Sequence, residues 1–304
     1  MRTRLTRRRL ALAAIVFLGL GYATLIQSFS WNQSSHYALI RAIDHGKTTI
    51  DPYIGETGDK AFYKHHWYSA RAPGLALYSE PWYQLLLATD VPSWAQHSPA
   101  QRNTDEMIWA IGLWGNVLPG LLLALLIWLA VERVEPGFGA AAALAAGFGT
   151  LLLPLSTMLF SHVFTACLAF AAFVLLMRER DGPQRLWQLA LAGALVGYGI
   201  ASEYPLLFAA IALGVYTLTR RDTRAPWRAA RRALAYGLGA LAGLVPLLVY
   251  DKLAFGSFTH IAYADIPRQK AGFFGIGTPS LRTLATLLFD SRGLLTLAPV
   301  LVMS

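Results

Sequence analysis

The sequence predicts an all-α protein built into a membrane by several crossings, and three observations predict it. Of the 304 residues, 55% are hydrophobic and only 14% charged, and the mean hydropathy is +0.44, a departure from the soluble globular average toward a multi-span chain. Apolar runs of crossing length recur along the chain, separated by short connectors. The basic residues gather in those connectors, as cytoplasmic flanks of membrane helices do. The net charge of +9 therefore points to membrane flanks and away from nucleic acid. One membrane domain over residues 1–304 is the expected organisation. The single cysteine, Cys167, lies in an apolar run and reads as a small core or lipid-facing residue.

Five arginines stand before the first apolar run, which makes a first span at about residues 10–28 and holds the N-terminus in the cytoplasm. This start resembles a signal peptide, but no clean A-x-A site follows it, so the segment is expected to remain as a span. Between residues 29 and 106 no run is long enough to cross about 30 Å of hydrocarbon. This is read as one long extracytoplasmic loop. Within it, apolar residues at helical spacing predict two surface helices, over residues 31–43 and 75–87, the second with Trp82 and Tyr83 suited to the interface. Gly46, Pro52, Gly55 and Gly58 break regular structure between them and leave the acidic residues on a loop.

The second span covers residues 107–131, and ERVEPGFG turns the chain. Residues 138–177 are about twice the length of one span, which predicts a hairpin of spans 138–155 and 162–177 with Pro154, Ser161 and His162 at its outer bend. A second hairpin, 186–201 and 204–219, lies between the basic connectors 178–185 and 220–232 and carries Glu203 at its tip. Its halves are short and imply tilted or shallow helices. A seventh span at 233–250 leads into a second extracytoplasmic loop, 251–290. An eighth begins at residue 294 and is cut off at residue 304, too short to cross, so the chain reads as truncated. Fifteen of the 26 lysines and arginines but only five of the 17 acids fall in the cytoplasmic segments, so charge and orientation agree.

The chemistry concentrates in residues 51–77, DPYIGETGDKAFYKHHWYSARAPGLAL. Carboxylates at a membrane surface can take a proton from a hydroxyl, and arginine binds phosphate through paired hydrogen bonds; Asp51, Asp59 and Arg71 fit those roles. Asp51 and Asp59 equally suit turn positions beside Pro52 and Gly58. His65 and His66 do not make a metal site, because adjacent side chains diverge and spacing fixes no third ligand. With Tyr68 they read as interface or substrate contacts. A divalent cation on Asp51, Glu56 or Asp59 is the one cofactor the residues leave open. His162 and Glu203 are ionisable groups at hairpin tips, where they either line the site or are simply solvated. Arg268, Lys270, Arg282 and Arg292 of the second loop are placed to meet an anionic headgroup or lipid phosphates. Trp31, Trp67, Trp82, Trp94 and Trp109 read as interface anchors.

Taken together, the amphipathic helix after the first span, the TGDKA acidic loop, HHWYSARAPGLAL and the later DSRGLLTLAP resemble bacterial membrane glycosyltransferases of the GT-C superfamily, relatives of the protein O-mannosyltransferases and lipid A aminoarabinose transferases. The resemblance runs from about Trp31 to Pro299 and is most specific at YSARAPGLAL. It implies a GT-C-like helical bundle in the bacterial inner (plasma) membrane that moves a sugar from a polyprenyl-phosphate donor to an extracytoplasmic acceptor. Arg71 stands where relatives carry the lysine of a K-A-P-G or K-P-P motif that engages the donor phosphate, with Arg292 as a second cation. Many relatives open the surface helix with an Asp-Glu pair; here the chain reads Asn32-Gln33-Ser34, which leaves Asp51 or Asp59 as the base. No Gly-rich nucleotide loop is present, in keeping with a lipid-linked donor.

Two other classes use the same features. A flippase for a lipid-linked saccharide would need polar groups deep in the spans, and the spans read as almost free of buried charge. A non-catalytic homologue or assembly subunit is favoured by the missing Asp-Glu pair.

Overall fold

The apolar runs fold as helices. The computed structural model describes residues 2–25, 27, 29–89, 100–220, 225–266 and 280–297, with the backbone alone for residues 2–8 and 100–105. Helix α1 is Arg2–Thr24, α2 Trp31–Asp44 and α3 Gly74–Ala88. Helix α4, Ala100–Gly112, passes through one π-helical turn, Leu113–Val117, into α5, Leu118–Val134. Then follow α6 Gly139–Gly149, α7 Leu152–Ser156, α8 Ser161–Asp181, α9 Leu186–Ser202, α10 Leu206–Tyr216, α11 Pro226–Phe255, α12 Leu281–Phe289 and α13 Leu294–Leu297.

Among the described residues, three helices are long and apolar enough to cross a membrane: Glu106–Val134, Ser161–Asp181 and Pro226–Phe255. Arg9–Thr24, Gly139–Gly149, Leu186–Ser202 and Leu206–Tyr216 are apolar but shorter. The expected span 138–155 divides into α6 and α7 because the chain leaves helical geometry at Thr150, which is extended. The expected span 204–219 shortens to eleven residues, since Tyr204-Pro205 starts α10 late and a turn at Thr217 ends it. Conversely α11 outruns the expected 233–250 at both ends. The five residues of that excess at the C-terminal end, 251–255, put Asp251 inside a helix instead of on the second loop. Of the expected eighth span only Leu294–Leu297 is helical among the described residues, and residues 298–304 lie outside them.

The broadest helix contact joins α9 and α11 through glycines on both sides. A Cβ on Gly193 or Gly197 would stand about 2 Å from the Tyr236 and Ala240 carbonyl oxygens, and one on Gly239 or Gly243 about 2 Å from those of Ala190 and Ala194. Two small-xxx-small pairs therefore let the backbones touch, which is how helices associate where no hydrophobic gradient drives them together. Indole groups tie other helices: Trp82 Nε1 donates to Ala110 O and Trp109 Nε1 to Ala23 O, each at 3.0 Å. These two tryptophans, expected at the interface, are helix-to-helix links.

Buried charge is the second departure from expectation. Glu179, near the end of α8, and Arg232 of α11 are both buried. Arg232 donates Nη1 to Oε1 at 2.6 Å and Nη2 to Oε2 at 2.5 Å, and its Nε reaches Thr217 O at 2.8 Å. Asp251 is buried as well, and its Oδ1 has no partner among the described residues. Arg232 had the look of a solvated connector residue because its neighbours in sequence are basic. Burial comes from the fold, which brings α8, α11 and the Thr217 turn together.

Between α2 and α3 the expected loop contains a two-stranded antiparallel hairpin, β1 Lys60–Tyr63 and β2 His66–Ser69, in register Lys60 to Ser69 and Tyr63 to His66. Its two-residue turn uses Lys64 and His65, both left-handed at φ 45° and 69°, the geometry of the tight turns that suit strand twist. Neither residue is the Gly or Asn that ordinarily marks such a turn, so no turn signal stood in the sequence. Phe62 and Trp67, paired across the strands with ring centroids 4.8 Å apart, supply the aromatic contact that holds it.

Candidate functional site

The segment Thr57-Gly58-Asp59 is clamped to the start of α2. Thr57 Oγ1 donates to Trp31 O at 2.7 Å and accepts from the Asp59 amide at 3.0 Å. The Trp31 ring lies over Gly58, where a Cβ would come within 2.6 Å of the ring. Asp59 is thereby fixed in direction. On the facing strand, the Ser69 hydroxyl lies 2.8 Å from that of Ser35 and accepts from the Arg71 amide at 3.1 Å. Ser35 Oγ also donates to Asp59 O at 2.6 Å. These bonds place the Arg71 side chain against Asp59: Nε donates to Oδ2 at 2.6 Å, and the terminal nitrogen donates to the same oxygen.

Gly74 explains its place in the Arg71-Ala72-Pro73-Gly74 stretch. A Cβ there would fall 2.2 Å from Ser202 Oγ and 2.8 Å from the Ala201 carbonyl, and Tyr198 OH donates to Gly74 O at 2.9 Å. Only glycine lets α3 begin against the end of α9. That contact carries Glu203 to the same end of the bundle, where it accepts from Ser161 Oγ and lies 3.2 Å from His162 Nδ1. Burial alone would raise the Glu203 carboxyl, but hydrogen bonds from His162 and Ser161 outweigh it and hold the group below the usual carboxylate range. The turn Ala262–Asp265 closes the other side, with the Tyr263 hydroxyl in reach of Arg71 and its ring 5.1 Å from that of Tyr204.

Asp59 and Arg71 line an open depression of about 550 Å³ together with Phe29, Ser30, Trp31 and Asn32. Asn32 Oδ1 is buried there without a partner among the described residues. One turn further along α2, His36 is fully buried and neither ring nitrogen has a partner among the described residues. Burial, followed by the charge of Arg71, lowers its basicity to a pKa of about 3, while Glu203 opposes and His162 adds to the shift. The imidazole is therefore neutral and sits among those three groups. His36 had no sequence signal of its own; its spacing of four from Asn32, which puts both on one helix face, is the pattern that could have shown it.

The remaining candidates separate into distinct places. Asp51 holds the hairpin: Oδ1 accepts from the Trp67 amide and Oδ2 lies against His66 Nδ1, both at 2.7 Å. Burial pushes its carboxyl up, yet these two bonds prevail and keep it below its ordinary value. His65 is exposed at the hairpin turn and His66 is exposed beside Asp51. Tyr68 is buried instead of facing the depression, because its hydroxyl donates to Ala254 O at 3.0 Å and its ring packs on Phe255. Glu56 pairs with Arg41. The three loop acids thus point to three different partners, and no three His, Cys, Asp or Glu side chains among the described residues converge as metal ligands would. Arg292 is exposed in the turn after α12; Arg268, Lys270 and Trp94 lie outside the described residues. Comparison of the chain with protein-family models, curated proteins and solved structures returns no match.

Proposed function

We propose that this chain is a membrane glycosyltransferase that moves a sugar from a polyprenyl-phosphate donor to a hydroxyl acceptor at the extracytoplasmic surface, with its N-terminus in the cytoplasm. The observation that carries the reading is the Arg71–Asp59 pair on the wall of an open depression. Both arginine contacts fall on one carboxylate oxygen. A donor phosphate is the stronger bidentate partner for a guanidinium. As it takes Arg71, Asp59 loses its cation and becomes a better proton acceptor. The acceptor oxygen then attacks the anomeric carbon, the bond from that carbon to the phosphate oxygen breaks, and the acceptor proton passes to Asp59. Polyprenyl phosphate leaves with its new negative charge facing Arg71, and positioning supplies much of the remaining rate.

Asp51 is engaged through both oxygens in holding the hairpin, which favours Asp59 as the base. In transfer assays on membranes, Asp59→Asn is expected to lose roughly 100-fold or more in turnover, while Asp51→Asn loses little per folded molecule and mainly lowers hairpin stability. Equal turnover in the two variants would contradict the assignment. Asn32, neutral where relatives carry an acid, favours a second reading, a donor-binding protein without transferase activity. That reading predicts retained donor binding and no transfer by the unaltered chain.

A further inference from the structure

A fully buried imidazole whose nitrogens have no partner costs a folded protein stability. Among the described residues His36 is such a group, and Asn32 Oδ1, one turn away on the same face of α2, also has no partner there. Asn32 stands on the wall of the Asp59 and Arg71 depression, and His36, fully buried, lies one turn behind it on the same face of α2. A neutral imidazole offers one N–H donor and one acceptor nitrogen, and the Asn32 oxygen offers a further acceptor. That combination matches neighbouring hydroxyls of a sugar ring, each of which both donates and accepts. A phosphate, which offers acceptors alone, would leave the acceptor nitrogen of His36 and the Asn32 oxygen unmet, and an isoprenoid chain would leave every one of these groups unmet.

We infer that His36 and Asn32 form the subsite for the hydroxyls of the transferred sugar, reached when the donor phosphate draws Arg71 from Asp59. The inference rests on the glycosyltransferase reading and adds to it the residues that distinguish a sugar-bearing donor from the bare lipid phosphate. His36 binds the sugar and takes no proton from the acceptor.

The test is binding of two probes to the full chain in detergent, read by native mass spectrometry: undecaprenyl phosphate, and the polyprenyl-phosphate sugar fraction extracted from the cells that make the protein. The unaltered chain is expected to prefer the sugar-bearing lipid by roughly tenfold, the effect of about one good hydrogen bond. His36→Leu is expected to bind both probes alike, with binding of undecaprenyl phosphate unchanged. Because leucine removes unsatisfied polar atoms, the same variant should melt about 2–4 °C higher without ligand. His36→Gln, which keeps a donor and an acceptor, should retain part of the preference. A His36→Leu chain that keeps the full preference, or that melts lower and loses both probes as a structural residue would, overturns the inference. An unaltered chain that binds neither probe overturns the glycosyltransferase reading itself.

Discussion

Arg71→Ala is expected to reduce sugar transfer by about 30- to 1,000-fold, the effect of losing a charge-assisted contact worth about 2–4 kcal/mol in the transition state. The loss should appear in turnover and in donor affinity, because the guanidinium meets the phosphate before and during departure. Local structure should survive, since the Arg71 amide and not its side chain bonds to Ser69 Oγ. Asp59 keeps its place through Thr57 and Ser35, which bind its backbone. Arg71→Lys should recover part of the rate, as charge persists while the paired geometry does not. Transfer by membranes containing each variant, normalised to folded protein, checks this. Arg71→Ala at the rate of the unaltered chain would place the site elsewhere.

Arg232→Ala should destabilise the fold by about 3–5 kcal/mol, because it leaves the Glu179 carboxylate buried with its bidentate partner gone. Arg220 also reaches Glu179, at 3.2 Å, so the lower part of that range is expected. Replacing both Glu179 and Arg232 with methionine should cost much less, as apolar residues of similar volume carry no desolvation cost. From Ser161 to Glu179 helix α8 rises about 27 Å, so the pair lies at the end of the bundle away from Arg71. Transfer per folded molecule should then be unchanged in the double variant. Unfolding in detergent, followed by helical signal, measures the stability difference.

What the residues disclosed in advance depended on how local their causes are. Helical spacing marked α2 and α3 to within a residue or so at each end, because the apolar faces that set it act within one or two turns. The hairpin left no mark, since Lys64 and His65 take left-handed geometry under tertiary constraint and not by intrinsic preference. Tyr68 looked like a surface aromatic beside two histidines; the strand turns it the other way, onto Phe255 and the Ala254 carbonyl. Asp51 and Asp59 were equivalent as acids near turns, and only their partners separate them. His36 and the Glu179–Arg232 pair were the least legible, because burial of a polar group is set by elements distant in sequence. Gly193, Gly197, Gly239 and Gly243 were present as small-xxx-small spacings and could have been read as a helix contact.

The most direct test of the central claim is mass spectrometry of lipid-linked sugars in cells from which the gene has been deleted. A polyprenyl-phosphate sugar should accumulate there, return to its usual level when the unaltered chain is restored, and stay high when the Arg71→Ala chain is supplied instead. An unchanged pool of polyprenyl-phosphate sugars in the deleted cells, or full restoration by Arg71→Ala, would contradict the account.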